Sequence, residues 1–190
     1  MIMDSYFEIR AIPDPELLQS AIVANLMQKI HGLLPAYQGR VGLSFPGYGQ
    51  ARTLGGIVRL HGCAPDLERL NFEVRNNPDV RSYGLISDVS SVPGSVKGYA
   101  KFQRLHAKGN SHLRRLQQRH RARGTWTKEL EESISKKYTL KVSCPHVVLK
   151  SASTGQSRFL LFIERCGSDS SADGEFNAYG LSKTATVPLF

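Results

Sequence analysis

The sequence predicts an α+β fold in two parts, and three observations carry that prediction. Strand-like and helix-like patterns follow one another over the first ninety residues as strand–helix–strand–strand–helix–strand. A Pro/Gly/Ser-rich stretch, SSVPGSVKG from Ser90 to Gly98, then interrupts the chain. Directly after it the charge changes: residues 1–100 hold nine Lys/Arg and nine Asp/Glu, whereas residues 101–190 hold sixteen against seven. The whole formal charge of +9 thus lies in the second half.

The elements follow from local pattern. SYFEIRAI alternates, with Phe7, Ile9 and Ala11 on one side, and reads as a strand. Pro13 ends it, and Asp14 with Pro15 supplies a helix start. Leu18, Ile22, Leu26, Ile30 and Leu33 then recur at helical spacing as far as Gly32–Leu34, with Pro35 beyond. RVGLSF is a second strand, stopped by Pro46, and GGIVRLHGC a third. APD opens a helix over Ala64 to Leu70, and Tyr83 to Val89 is the fourth strand. This order is that of a ferredoxin-like (RRM-like) domain, with helices covering one face of an antiparallel sheet. We therefore expect a ferredoxin-like domain over 1–92, a linker at 93–98, and a smaller α+β domain over 99–190. The latter reads as a strand at Tyr99–Leu105, a basic helix, a helical stretch near Trp126–Lys137, and strands at His146–Lys150 and Phe159–Glu164. CGSDSSADGE is a polar loop, and the chain ends in VPLF.

A chain of 190 residues with 41% hydrophobic content can bury a core. No apolar run approaches the roughly 20 residues of a membrane span. MIMDSYFEIR lacks the basic and apolar regions of a secretion signal. Cys63, Cys144 and Cys166 are odd in number and have no metal-ligand spacing, which fits reduced, packing cysteines in a cytoplasmic protein.

The segment Lys101–Arg123 has eight Lys/Arg and no acid. With Leu113 at zero on a helical wheel, Leu116 and His120 fall within about 60° of it as a narrow apolar seam. Arg114 and Arg121 lie near about 100° and 80°, and Arg115 and Arg119 near about 200° and 240°, with Gln118 and Ala122 between the rows. A solvated helix would intersperse glutamates at i,i+4. Uncompensated repulsion points instead to a polyanion, and the seam is too thin for a membrane surface. Guanidinium groups suit phosphates and guanine edges, but charge alone leaves RNA and DNA both open.

For chemistry the sequence offers no P-loop, no GxSxG, no GxGxxG and no dense Asp/Glu/His set of metal-ligand type, so neither a cofactor nor a metal is expected. Histidine, serine, tyrosine and lysine remain. His31, near the end of the first helix beside Met27 and Ala24 on the wheel, reads by default as a packed or surface residue rather than a reactive one, and His61 and His146 are similarly ambiguous. Ser151, Ser153 and Thr154 in KSASTGQ form a hydroxyl cluster at a strand end.

YFEIRAIPDPE, KIHG, VGLSFP, an arginine helix after a linker, KSASTGQ, FLLFI and YGLSK…VPLF occur in one order along the whole chain. Together they resemble the CRISPR repeat-processing endoribonucleases of subtype I-F, the Csy-four or Cas-six-f type. The resemblance implies a prokaryotic enzyme that binds the repeat hairpin of the CRISPR precursor RNA. It implies metal-independent cleavage at the 3′ base of the stem by the upstream 2′-OH, leaving a 2′,3′-cyclic phosphate. It also implies retention of the mature crRNA within the surveillance complex beside that complex's other subunits.

By the same resemblance, His31 in KIHG matches the catalytic histidine, Ser151 the serine that holds the 2′-OH, and Tyr179 the tyrosine beside the histidine. Arg104 matches an arginine that contacts bases at the foot of the stem. His106 stands where the family pattern has glutamine, and histidine cannot copy glutamine's bidentate adenine contact. Lys108, Arg114, Arg115, Gln118, Arg119, Arg121 and Arg123 form the RNA-gripping set around the helix, and Ser153 joins it from the hydroxyl cluster. Two alignments of the helix, differing by two residues, assign its arginines differently. Arg158 and Phe159 are alternative stacking residues for the closing base pair. Two other readings compete: a non-cleaving RNA-hairpin-binding subunit that caps the guide RNA, and a DNA-binding helix on an α+β scaffold.

Overall fold

The computed structural model describes residues 3–106, 110–138, 144–150 and 158–190. The fold is α+β with two antiparallel sheets. Contacts gather residues 1–105 and 144–190 into one compact unit and 106–143 into another. Of the stretch 93–98, residues 93–97 fall between the last strand of the first sheet and the first strand of the second, which Gly98 opens.

In the first unit, β1 (Ser5–Ala11) buries Ser5, Phe7, Ile9 and Ala11 and turns Tyr6, Glu8 and Arg10 the other way, as period-two alternation requires. Helix α1 (Gln19–Leu33) buries Ile22, Val23, Leu26, Met27 and Ile30. It begins later than the sequence suggested. Asp14 closes a local turn instead, its Oδ1 accepting from the N–H groups of Glu16 and Leu17 at 2.8 and 3.0 Å. Leu18, expected on the apolar stripe, is the uncapped N-terminal flank and is 78% exposed. Strands β2 (Gly42–Ser44) and β3 (Ile57–Gly62) precede α2 (Ala64–Arg75), which buries Leu67, Leu70, Asn71 and Val74.

A short helix follows that the sequence reading missed. In α3 (Pro78–Tyr83), Asn77 caps the N–H groups of Asp79 and Val80 while Pro78 takes the first position. The cap-then-proline signal stood in NNPDV, but six residues give too little periodicity to register. Strand β4 (Gly84–Ile86) and the two-residue β5 (Ser90–Ser91) share one edge of β1, at Ile9–Ala11 and Ser5–Tyr6 respectively. Of the fourth strand expected over Tyr83–Val89, only Gly84–Ile86 is strand, and β5 forms from the first two residues of the Pro/Gly/Ser-rich stretch Ser90–Gly98.

The first sheet runs β2-β3-β1-β4. Each βαβ connection therefore skips over one intervening strand, and α1 and α2 both pack against β1 and β3. The second sheet runs β7-β8-β6-β9, with β6 Gly98–Leu105, β7 His146–Leu149, β8 Phe159–Ser168 and β9 Val187–Leu189. Strand β7 lies against α1. The two sheets share apolar contacts: Phe102 meets Phe45 edge-on at 5.4 Å and Tyr48 at 5.8 Å, and the Tyr48 hydroxyl donates to the Ile163 carbonyl at 3.0 Å. No helix among the described residues is long and apolar enough to cross a membrane.

The second unit is a helical pair, α4 (Asn110–Ala122) and α5 (Lys128–Tyr138). Gly124, at φ +66°, ends α4 with the Thr125 N–H bonded back to the His120 carbonyl at 2.9 Å, a closure that an L-residue with a side chain resists. His120 Nδ1 also meets the Thr125 hydroxyl at 2.9 Å, and Thr127 caps α5 through the Leu130 N–H. Leu116 and His120 are half-buried, in line with a thin seam. Arg114, Arg115, Gln118, Arg119, Arg121 and Arg123 are all exposed.

Candidate active site

His31 sits in the last turn of α1, where the main chain has already committed to the core through Ile30. Its Nδ1 lies 2.6 Å from the carbonyl oxygen of Ala178. A carbonyl only accepts, so Nδ1 carries the proton and the neutral ring keeps its lone pair on Nε2. The ring also stacks on Tyr179, with centroids 3.9 Å apart and planes 12° from parallel. One hydrogen bond and one stacked face, both from a segment 147 residues further along the chain, thus fix both the tautomer and the orientation of the side chain.

The partner segment is itself held tightly. Asn177 Oδ1 accepts from the N–H groups of Tyr179 and Leu181, at 2.8 and 3.3 Å. The Asn177 carbonyl accepts from the Gly180 N–H at 2.8 Å, and its N–H reaches the Leu181 carbonyl. Gly180 has φ +67°, and its carbonyl accepts from the Leu43 N–H of β2 at 2.8 Å. The turn that presents Ala178 and Tyr179 is therefore anchored to the first sheet through the backbone. NAYG is a legible turn in the sequence. That its carbonyl would select a histidine tautomer 147 residues away is not.

Tyr179 continues the group outward. Phe159, at the start of β8, meets it edge-on at 6.3 Å and 71°, and the Arg104 guanidinium lies 5.5 Å from the Phe159 ring centre. Four side chains from α1, the C-terminal turn, β8 and β6 thus form one contiguous row: His31, Tyr179, Phe159, Arg104. Arg158 takes no part in it; it lines a groove between α1 and β7 instead. The two residues that the sequence left as alternatives therefore occupy different places.

Ser151, Ser153 and Lys108 lie outside the described residues. The residue before Ser151 is described: the Lys150 N–H donates to Gln28 Oε1 at 2.8 Å. Gln28 is one helical turn before His31, so the strand end leading to Ser151 is tied to the helix that carries His31. No sequence signal marks Gln28. His106 is exposed and belongs to the second unit with the arginine helix.

The other histidines differ in kind. His61 is fully buried, with Nε2 2.8 Å from Ser44 Oγ and no partner on Nδ1, and burial drives its pKa down to about 3, with the nearby Arg59 charge adding to the shift. It is a neutral structural residue. His146 is exposed beside Phe162. The three cysteines are free and half-buried, and no three His/Cys/Asp/Glu side chains gather as a metal site among the described residues.

The arrangement defines a class: an α+β protein with an oriented imidazole beside a tyrosine, and a separate, acid-free arginine helix suited to a polyanion. Comparison with known proteins makes the class particular. The family description "CRISPR-associated protein (Cas_Csy4)" matches residues 6–190. The chain is 36% identical over 192 residues to the CRISPR-associated endonuclease Cas6/Csy4 of Escherichia coli (strain UTI89 / UPEC), covering 99% of this chain and all of that protein. It is 35% identical over 193 residues to the CRISPR-associated endonuclease Cas6/Csy4 of Pseudomonas aeruginosa (strain UCBPP-PA14), again over 99% of this chain and all of the relative. The chain belongs to the Cas_Csy4 family.

Proposed function

We propose that this protein is an endoribonuclease that matures CRISPR RNA by cutting the precursor at the 3′ base of the repeat hairpin. One observation carries the reading: His31 is held in the Nδ1–H form by Ala178 and stacked on Tyr179, in a chain related end to end to named CRISPR-associated endonucleases. In the proposed step the 2′-oxygen upstream of the cut bonds to phosphorus and the P–O5′ bond breaks. The 2′-OH proton leaves to a base, and the departing 5′-oxygen takes up a proton. The products are a 2′,3′-cyclic phosphate and a 5′-hydroxyl. The free Nε2 of His31 serves either transfer: unprotonated it accepts from the 2′-OH, and protonated it donates to the leaving oxygen. Ser151 positions the 2′-OH rather than attacking, and the Gln28–Lys150 bond supports its strand end.

In this reading Arg104 and Phe159 meet the foot of the stem, with the phenylalanine ring available to stack on the closing pair. Arg115 and Arg119 grip the hairpin, with Arg114, Gln118, Arg121 and Arg123 alongside. Because in-line attack by a neighbouring hydroxyl needs no metal-bound water, the reaction runs without a metal ion. The protein then stays on the hairpin of the mature crRNA within the surveillance complex.

The test is cleavage in EDTA of the cognate repeat hairpin and of the same hairpin with one 2′-deoxy residue at the cut. Cleavage of the first alone, yielding a cyclic phosphate end, is expected. Binding of both without cleavage overturns the enzymatic reading and leaves a guide-RNA cap.

A further inference from the structure

The second unit lacks what holds the first together. Among the described residues, all of the buried ones lie in the first unit and none in the second. Leu116 and His120 of α4, Trp126 of the connection, and Leu130 and Ile134 of α5 are only half-buried. Helix α4 therefore depends largely on itself. It has 13 residues, and an isolated helix of that length is marginal in water even when rich in alanine. Its composition weakens it further. Arg115 with Arg119, and Arg119 with Arg123, are like charges at i,i+4 spacing, which oppose the helix. Among the described residues none of Arg114, Arg115, Arg119, Arg121 and Arg123 forms an ion pair. Glu129 of α5 bonds its own backbone N–H and the Thr127 hydroxyl instead. Only the C-terminal end of α4 is fastened, by the turn at Gly124, the Thr125 N–H on the His120 carbonyl and the Thr125 hydroxyl on the His120 ring.

A polyanion supplies what is missing. Phosphates laid along the arginine rows replace repulsion by attraction, and the rows line up only when the segment is helical. Arginine-rich segments that fold on their RNA follow this logic. We propose that folding of the α4–α5 unit is coupled to binding of the RNA hairpin: the free protein populates the helical pair only in part, and the RNA completes it. This rests on the reading that α4 grips the hairpin. The first unit has its own core, carries His31 and Tyr179, and stays folded throughout. The observed affinity is then that of the folded helix, reduced by the fraction of free protein that holds it. A change in helix stability must therefore change binding nearly in proportion while leaving the chemical step alone. A unit already fully folded has no such link.

The test reads amide hydrogen exchange in the free protein and with a cognate hairpin carrying a 2′-deoxy residue at the cut. Peptides within 114–134 should be at least about tenfold more protected in the complex, while those of β1 and β3 change by less than about twofold. Protection that extends to 128–134, where Glu129, Glu131 and Glu132 keep phosphates away, separates folding from simple coverage by RNA. In the free protein, raising NaCl from about 50 to 500 mM should slow exchange in 114–134 by screening the arginines, although it weakens RNA binding. Gln117 lies at about 40° on the wheel, on the seam rather than in an arginine row. Gln117→Gly should bind the hairpin about 3–5-fold more weakly than Gln117→Ala, with equal single-turnover cleavage of the bound RNA. Free-protein protection of 114–134 equal to that in the complex, or equal affinities of the two Gln117 variants, overturns the proposal. The grip itself fails separately: wild-type affinity in the double variant Arg115→Ala, Arg119→Ala removes α4 from the interface, whatever the exchange of the free protein.

Discussion

Replacing Gly180 with alanine tests whether the C-terminal turn is what organises the site. The residue has φ +67°, where an alanine costs about 1–2 kcal/mol. Space adds to that. A Cβ built there would lie 2.5 Å from Leu43 Cγ and 3.3 Å from Leu34 Cδ1, and Leu43 is fully buried. Overpacking of this kind costs about 1–3 kcal/mol. The sum, about 2–5 kcal/mol, corresponds to a fall in Tm of roughly 5–15 °C for a chain of this length. The turn cannot yield freely, because the Gly180 carbonyl is bonded to the Leu43 N–H and Asn177 closes it from the other side. Whatever gives must move Ala178 and Tyr179, and with them the support of the His31 ring. The expected kinetic result, at a temperature where the variant is fully folded, is a loss of about 10²-fold in single-turnover cleavage of the hairpin, with its affinity changed by less than threefold. Thermal melting and cleavage are measured on the same preparation. A variant that melts within 2 °C of wild type and cuts at the wild-type rate would refute the argument that this turn orients His31.

His31→Ala should lower single-turnover cleavage by about 10²–10⁴-fold without weakening hairpin binding, read by quench-flow and filter binding. Gln28→Ala should slow cleavage of an RNA with one nucleotide 3′ of the cut about tenfold, while Gln28→Glu, whose carboxylate accepts the same Lys150 N–H, should restore most of the rate; equal rates for all three proteins would remove the positioning role. For His61 the folded state holds the pKa near 3 while the unfolded chain titrates near 6.5, so the unfolded state binds more protons between those values and stability falls as pH drops through that window. Between pH 7 and 4.5 His61 should account for about 2–3 kcal/mol of that fall, and the urea-melt stability of His61→Gln should be flatter over the same range. Arg115→Ala and Arg119→Ala should each cost roughly 1–3 kcal/mol of hairpin affinity wherever the arginine meets a base; unchanged dissociation constants for both would remove them from the interface.

The sequence was most informative where a pattern repeats. Phe7, Ile9 and Ala11 in a strand and Ile22, Leu26 and Ile30 in a helix declare their faces because burial imposes period two or 3.6 along several turns. It was weaker at ends and short pieces. Asp14 looked like a helix cap because a cap and an Asx turn use the same side-chain acceptor, and only the later start of α1 separates them. For the site, residue types were legible and their support was not. His31 and Tyr179 could be named from the motifs that carry them, but the contact between them rests on Ala178, whose contribution is a carbonyl that every residue has. Likewise the Gln28–Lys150 bond joins positions 122 residues apart with no pattern to announce it.

These supports share a design. The His31 imidazole is oriented by a backbone carbonyl and an aromatic face, and its neighbouring strand end by a backbone N–H. None of them is a carboxylate, the usual partner of a catalytic histidine. A carboxylate on Nδ1 would favour the imidazolium and place negative charge within a few ångströms of an incoming phosphate. A carbonyl fixes the tautomer as firmly but brings only a dipole. The same logic runs through the rest of the nucleic-acid chemistry proposed here: among the described residues, the row from His31 to Arg104 and the exposed face of α4 lack Asp and Glu, whereas acids pair elsewhere, as Glu8 with Arg59 and Asp66 with Arg40. Introducing one is therefore the informative perturbation. Ala178 offers only its main chain, so the change belongs at Phe159: Phe159→Glu should weaken hairpin binding by more than Phe159→Leu, and the excess should shrink as salt is raised, whereas a purely steric role for the ring would make the two variants alike at every salt concentration.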